Sequence, residues 1–463
     1  MKLPDGPQIP AFLQLIQWIA RPLEVLETSA QRYGDVFTLR LAGNKPIVFL
    51  SSPEAIQEIF TAAPEQFDVG RGNDILRPLL GEQSLLMMDG DRHQRQRRLL
   101  IPPFHGDRMR AYGKLICDIT EQVISQWKIG EPFSVRSSMQ EISLRVILQA
   151  VFGLHEGKRF AELEQLLCSV LEVVGSPLGS SLLFFRSLQR DLGEWSPWGR
   201  FVRQKQQINQ LIKAEIQERR QQPDLSRTDI LSLLMSTRDE NDQPMTDVEL
   251  LDELMTLLFA GHETTASALT WALYWIHSLP EVHDRLRSEL DKVVDNADLS
   301  EISRLPYLNA VCQETLRIYP VAMITFPRIV KSPLQLMGYQ FEPDTTLASC
   351  IYLTHHRQDL YPEPYKFKPE RFLERQFSPY EYLPFGGSNR RCIGMAFAQF
   401  EMKLVIATVL SRFEMAIAQS SRYANADKRP VRPVRRGVTL APSVGNWLVA
   451  TNQRQKANIP VLL

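Results

Sequence analysis

Apolar residues recur at helical spacing along most of the chain, and the longest such run lies between Thr246 and Pro280. Thr246 with Glu249 three residues on makes a capping-box signature, and Pro280 closes the segment, so a single helix is expected across it. At ~1.5 Å rise per residue it would run about 50 Å, enough to cross a large domain. From Leu254 to Trp275 it is apolar almost all round, the pattern of a buried rod rather than a surface helix.

The rest of the pattern fills in around that rod. Between residues 53 and 320 the periodicity is mostly helical, broken by polar, proline-bearing connections near 175–200 and 221–245. Upstream, the β-rich runs of DVFTLRLAGNKPIVFLSS flank Gly43-Asn44 and predict an early hairpin. Extended, proline-punctuated sequence occupies 320–372, a further strong helix is expected over 393–413, and loops and short strands follow it. Near the start, Phe12, Leu13, Leu15, Ile16 and Ile19 surround Gln14 and Gln17 in the manner of a short amphipathic surface helix. No repeat, low-complexity tract or flexible linker divides the chain. One mainly α domain over residues 1–463 is the expectation.

Composition narrows the function classes. With 53 Lys plus Arg against 53 Asp plus Glu, no excess charge argues for nucleic acid or an anionic membrane surface. Hydrophobic residues make up 44% and charged residues 23%, as in a packed globular protein. The five cysteines are odd in number, scattered and without a CxxC pair, which speaks against a disulfide scaffold or zinc knuckle and for a reducing compartment. The N-terminal segment lacks the basic and apolar regions of a signal peptide, and no apolar run reaches the ~20 residues of a membrane span. A cytoplasmic protein without a transmembrane anchor is expected, with weak peripheral membrane contact left open.

Candidate chemistry sits in four places. The first is AGHETT, Ala260 to Thr265, inside the central rod. His262 and Glu263 open like the zinc-protease pattern HExxH, but Ala266 holds the second histidine position, so the two-histidine metal face is missing. A glycine, a glutamate and two threonines in a buried helix are each destabilising, which points to a locally opened, polar-lined groove. The blander reading is a helix with a few internally bonded polar groups. The second and third are QETLR, with Glu314 and Arg317, and KPERF, with Glu370 and Arg371; alone, each is a commonplace charge pair. The fourth is FGGSNRRCIG, where Arg390 and Arg391 precede Cys392 just ahead of a helical segment. Cationic neighbours and a helix N-terminus lower a thiol pKa, so a nucleophile or a metal-binding thiolate is indicated. None of the eight histidines is marked out as a base for a nucleophile.

In this order, the four motifs closely resemble those of the cytochrome P450 superfamily of haem-thiolate monooxygenases, over essentially the whole chain. The resemblance implies a large helical bundle with small β-sheets around a buried haem b (iron protoporphyrin IX). It implies that Cys392 is the axial thiolate to iron, that Phe385 shields that side, and that Glu263 and Thr264 deliver protons to bound dioxygen. Ala260 and Gly261 would leave a groove over the iron. Glu314, Arg317 and Arg371 resemble the family's buried triad that braces the haem loop. His93 and Arg97, one turn apart in DGDRHQRQRRLL, would form one propionate clamp, with Arg390 and Arg328 as the other. Arg92, Arg95 and Arg98 are expected to face solvent or a partner. Ser388 departs from the family, standing where a second glycine is usual; a positive φ there would strain it, unless Gly386 and Gly387 absorb the turn.

The same resemblance implies electrons from a separate ferredoxin or flavodoxin with its reductase, because no flavin or phosphate-binding glycine fingerprint is present. Arg391 and the basic run DKRPVRPVRR, residues 427–436, are candidate steering charges for an acidic partner, an ordinary solvated loop being the alternative for the latter. Leu85, Leu86, Phe259, Val321, Met323 and Ile324, with the segment SPLGSSLLFFRS, suggest an apolar pocket for an elongated small molecule. A long-chain fatty acid or a terpenoid fits best, and the sequence is closer in style to the fatty-acid-hydroxylating branch. A monomer is expected. The alternatives are a peroxygenase or isomerase of the same haem type, and a non-catalytic haem sensor; those enzyme branches typically lack the pair found at Glu263 and Thr264.

Overall fold

The computed structural model describes residues 3–42, 45–104, 106, 108–175, 179, 182, 185, 188–224, 226–293, 299–418, 431–443 and 447–454. The central helix runs Asp247–Ser278, 32 residues, with the expected capping box complete at Thr246 and Glu249. Three helices pack with it as a bundle: Arg108–Ile124, Val135–Phe152 and Met395–Arg412. Their apolar faces merge into one large core in which Leu254, Ala266, Leu269 and Ala272 are fully or almost fully buried. The mainly α expectation holds.

The strands come in small pieces around this bundle. A five-stranded sheet has the spatial order Val36–Ala42, Lys45–Leu50, Thr346–Ser349, Arg328–Val330, Phe67–Asp68. Its first two strands form the expected antiparallel hairpin, with Val36 opposite Leu50; Gly43 and Asn44 lie outside the described residues. Pairing with Thr346–Ser349 is parallel and joins segments almost 300 residues apart in sequence, Val48 opposite Leu347. A separate hairpin, Pro433–Arg436 with Thr439–Pro442, packs its second strand against the central helix.

The first helix, Ala11–Ala20, departs from its sequence pattern. Gln14 and Trp18 are its buried residues, whereas Phe12 and Ile16 are 62% and 54% exposed. Gln14 turns inward because its amide satisfies three backbone groups: it donates to the carbonyls of Pro7 and Ile9 and accepts from the N–H of Arg40. A buried amide so fully bonded offsets its desolvation. Among the described residues no helix is long and apolar enough to cross a membrane.

Candidate active site on the cysteine loop and the central helix

The loop FGGSNRRCIG is closed by its own backbone. The Cys392 N–H donates to the Phe385 carbonyl at 3.0 Å, and Gly386 takes φ +66° in the turn. Gly387 is extended; a Cβ there would stand 2.1 Å from Cε2 of Phe60, so close approach explains this glycine. Ser388 takes φ +59° in spite of its side chain. The two glycines therefore do not absorb the turn, and the serine carries the left-handed conformation itself, at a cost of order 1 kcal/mol. Gly394 then caps the helix Met395–Arg412, which sets Cys392 just ahead of its first turn.

Cys392 has accessible surface although it lies deep within the protein, so its thiol faces internal space rather than bulk water. Burial raises its pKa, against the lowering influence of the Gly394 N–H and the charges of Arg97 and Arg391. The cationic setting read from sequence is present, but for the bare thiol desolvation outweighs it.

Four donors gather near this loop. His93 is buried, and burial with the charges of Arg390 and Arg97 presses its pKa down to about 3. Arg97 is likewise lowered by burial. Arg328 is buried over the rings of Phe60 and Phe67, bonds only the Ile59 carbonyl, and is pushed down to about 10 by burial and then by Arg390. Arg390 pairs with Asp89, which itself accepts from the N–H groups of Val69 and Gly70, and donates to the Met88 carbonyl. Its Nε and Nη1 are buried and find no hydrogen-bond partner among the described residues. Neighbouring arginines Arg92, Arg95 and Arg98 point elsewhere, to Gln83, to Asp239 and Glu249, and to Glu240.

The AGHETT segment divides by helical face. Ala260 is exposed in the middle of an otherwise mostly buried helix, and Thr264, one turn on, returns its hydroxyl to the Ala260 carbonyl. This back-bond loosens a helix locally, as the sequence suggested. Gly261 and His262 face the helix Val135–Phe152 instead. A Cβ on Gly261 would lie 2.7 Å from Cδ1 of Ile147, so its missing side chain serves helix–helix approach rather than a groove. The Ser143 hydroxyl donates to the His262 carbonyl at 3.2 Å, and His262 Nε2 contacts the Gln140 carbonyl at 3.1 Å. Glu263 forms an ion pair with Arg136 and accepts from Gln140 Nε2 at 3.0 Å. Neither Arg136 nor Gln140 was visible from sequence, since nothing local ties residue 136 to residue 263.

The charge pairs that were weak alone become one buried knot. Arg317 donates from Nε and Nη2 to both oxygens of Glu314, at 2.6 and 2.8 Å, all fully buried. Arg371 and the Lys368 N–H also reach Glu314, at 3.4 and 2.8 Å. Arg317 further donates to the His355 carbonyl, and His355 Nε2 accepts the Leu383 N–H, so the knot reaches the segment leading into the cysteine loop.

Two sequence expectations change. The basic run was a candidate docking patch; residues 427–430 lie outside the described ones, and Arg435 and Arg436 are half-buried on a hairpin beside the central helix. Among the apolar pocket candidates, Leu85 and Met323 are core, while Leu86, Phe259, Val321 and Ile324 are only partly buried. Most of SPLGSSLLFFRS lies outside the described residues.

Partnerless guanidinium nitrogens and a surplus of buried cations suit a planar group bearing two carboxylates, and an accessible internal thiol suits its metal. No cluster of three or more His, Cys, Asp or Glu stands among the described residues to hold a bare ion. That donor set fits iron protoporphyrin IX and defines the class as haem-thiolate proteins. The chain belongs to the cytochrome P450 family, whose model matches residues 3–443. It is 36% identical to cytochrome P450 135B1 of Mycobacterium tuberculosis over 98% of this chain and 94% of that one. It is 34% identical to cytochrome P450 135A1 of the same organism, over 98% and 96%. Among solved structures it resembles retinoic-acid-bound cyanobacterial CYP120A1, with a TM-score of 0.81, 25% identity and coverage of 98% and 100%. The fold is shared too with the P450DA haem domain, TM-score 0.82 at 21% identity over 98% of both chains. The protein is thus a haem-binding monooxygenase.

Proposed function

We propose that this monooxygenase inserts one oxygen atom of O2 into a C–H bond of an elongated apolar molecule, a long-chain fatty acid or a terpenoid. The observation that carries the substrate class is that Leu86, Phe259 and Val321, the apolar residues expected to line a pocket, are only partly buried, and that Ala260, next to Phe259 on the central helix, is exposed. In support, the solved cyanobacterial relative has retinoic acid bound, itself an elongated apolar acid.

In this reading Cys392 is the iron ligand, backed by Phe385, and His93, Arg97, Arg328 and Arg390 hold the propionates. Haem, when bound, supplies dioxygen activation. The protein's own contribution is a proton path: the Thr264 hydroxyl stands on the accessible face, and Glu263 waits one residue away, held by Arg136 and Gln140. Electrons come from a separate ferredoxin or flavodoxin with its reductase, steered by charges such as exposed Arg391. The enzyme acts as a cytoplasmic monomer.

The test is the ferric spin-state shift on titration with fatty acids, terpenes and small polar controls. Elongated apolar molecules should bind at micromolar concentrations and polar controls should not; the reverse order would sink the substrate class. For the ligand, the reduced CO complex should show the red-shifted Soret band of thiolate ligation, and Cys392→Ser should lose it.

A further inference from the structure

The hairpin Pro433–Arg436 and Thr439–Pro442 joins three parts of the molecule. Its second strand packs on the central helix, the Leu440 N–H donates to the Val321 carbonyl at 2.8 Å, and Gly437, at φ +61°, turns close to the Val174 carbonyl. Arg436 precedes that turn and lies within electrostatic reach of Glu263 and Arg136. Both carboxylate oxygens of Glu263 are already engaged, Oε1 by Arg136 and Oε2 by Gln140. The group therefore holds two guanidinium charges for one carboxylate. Arg436 Nε is buried and makes no hydrogen bond among the described residues, an expensive arrangement for a charged donor.

We propose that Arg436 is an anchor for the carboxylate of the substrate, which makes the physiological substrate an apolar carboxylic acid rather than a neutral hydrocarbon or terpene. This rests on the apolar-substrate reading and adds a charged end to it. The chemistry fits the single surplus charge: Nε is shut in by protein, and the two Nη atoms of the half-buried, planar guanidinium are left to present an edge that matches a carboxylate. Val321, whose carbonyl the hairpin's Leu440 N–H bonds and whose side chain is only partly buried, meets the adjoining chain. Arg435 is not needed for this, because its Nε is turned back to the Gly437 carbonyl and holds the turn. The same placement gives Arg436 a second consequence. An acid bound there neutralises a cation within electrostatic reach of Glu263, so an anchored substrate also changes the field at the proposed proton path.

The test uses the haem-loaded enzyme and matched probes: palmitic acid against methyl palmitate, and retinoic acid against its methyl ester, read by spin-state titration and by calorimetry. Each acid should bind about tenfold or more tighter than its ester, as expected when a buried charge pair is completed. Arg436→Leu and Arg436→Gln should each erase that preference while leaving ester affinity within about twofold, and Arg436→Lys should restore part of it. Equal binding of acid and ester to the unaltered enzyme, or a preference that survives in Arg436→Gln, overturns the anchor and leaves the apolar pocket standing. Binding of neither acid nor ester would sink the apolar-substrate reading itself. Loss of haem from both Arg436→Leu and Arg436→Gln would show a role in cofactor retention and also overturn the anchor.

Discussion

The backbone N–H of Leu383 donates to Nε2 of His355 at 3.0 Å, so the segment entering the cysteine loop hangs on an imidazole that must stay neutral. Burial, then the charges of Arg317 and His356, holds the His355 pKa well below the ordinary value. His356 and His277 are pushed down to about 3 and about 4, and His262 is also lowered, in each case chiefly by burial.

A pH optimum of stability follows from these groups. A histidine with a depressed folded pKa binds fewer protons folded than unfolded, so its contribution is complete above the unfolded value near 6.5 and is lost as pH falls below it. Glu253 and Glu401 work the other way. Burial raises both to about 8, so the folded state holds extra protons between the ordinary carboxylate range and 8, and stability falls as pH rises through that window. The lowered histidines, His93 among them, outnumber the raised carboxyls below pH 6.5, so the thermal midpoint should peak between about pH 6 and 7 and fall on both sides. Glu253→Gln should flatten the alkaline limb by roughly one proton, about 1.4 kcal/mol per pH unit at most. An unchanged alkaline slope in that variant would refute the assignment.

Ser388 supplies a cleaner stability test. Its left-handed backbone costs a non-glycine residue ~1–2 kcal/mol, while glycine costs ~0.5–1 kcal/mol through the unfolded chain. Ser388→Gly should therefore stabilise by about 0.5–1 kcal/mol, and Ser388→Val should destabilise by more than that, a β-branched residue being least tolerant of φ > 0. Urea unfolding of both variants with haem content recorded gives the answer, and a destabilised Ser388→Gly protein would contradict the loop geometry.

Gly261 separates packing from groove formation. With Ile147 Cδ1 only 2.7 Å from the added Cβ, Gly261→Ala should cost about 1–3 kcal/mol by overpacking. Because the obstructing atom is the end of a flexible side chain, Ile147→Val should recover much of that loss in the double variant. A double-mutant cycle reads this coupling directly. If the two changes are additive, the glycine is needed for some other reason.

How legible this was in the sequence depended on distance along the chain. The central helix was legible because its cap, its apolar run and its closing proline are local and sequential. The cysteine loop was legible too, except that the sequence left open whether Ser388 or the glycines before it take the left-handed turn, which only the backbone decides for the serine. Gln14 was not: its inward turn depends on Arg40, far along the chain and invisible to periodicity. Arg136 was missed for the same reason, and Gly261 was given the wrong purpose because the sequence shows an absent side chain but not what stands opposite it. Arg436 was read as part of a basic surface run; only the hairpin register and its seat on the central helix bury it.

Thr264, Glu263 and Arg136 make the last prediction. Thr264→Ala removes a hydroxyl from the exposed face without disturbing the cysteine loop, so haem content and the CO band should persist. Product formation should fall by about 10- to 100-fold, the lower range for losing one positioned proton-transfer group, while reducing equivalents appear as peroxide. Arg136→Met acts through Glu263, whose partly buried carboxylate would lose its ion-pair partner and keep the Gln140 hydrogen bond, with Arg436 as the remaining cation in reach. Its turnover should fall and reducing equivalents should appear as peroxide, with haem content and the CO band retained, whereas Arg136→Lys should recover part of the coupling. A structural role alone would lower the thermal midpoint of Arg136→Met without diverting reducing equivalents to peroxide. Combining Thr264→Ala with Arg136→Met should lose little more than the worse single change if both serve one path, and losses that multiply would place Glu263 outside it.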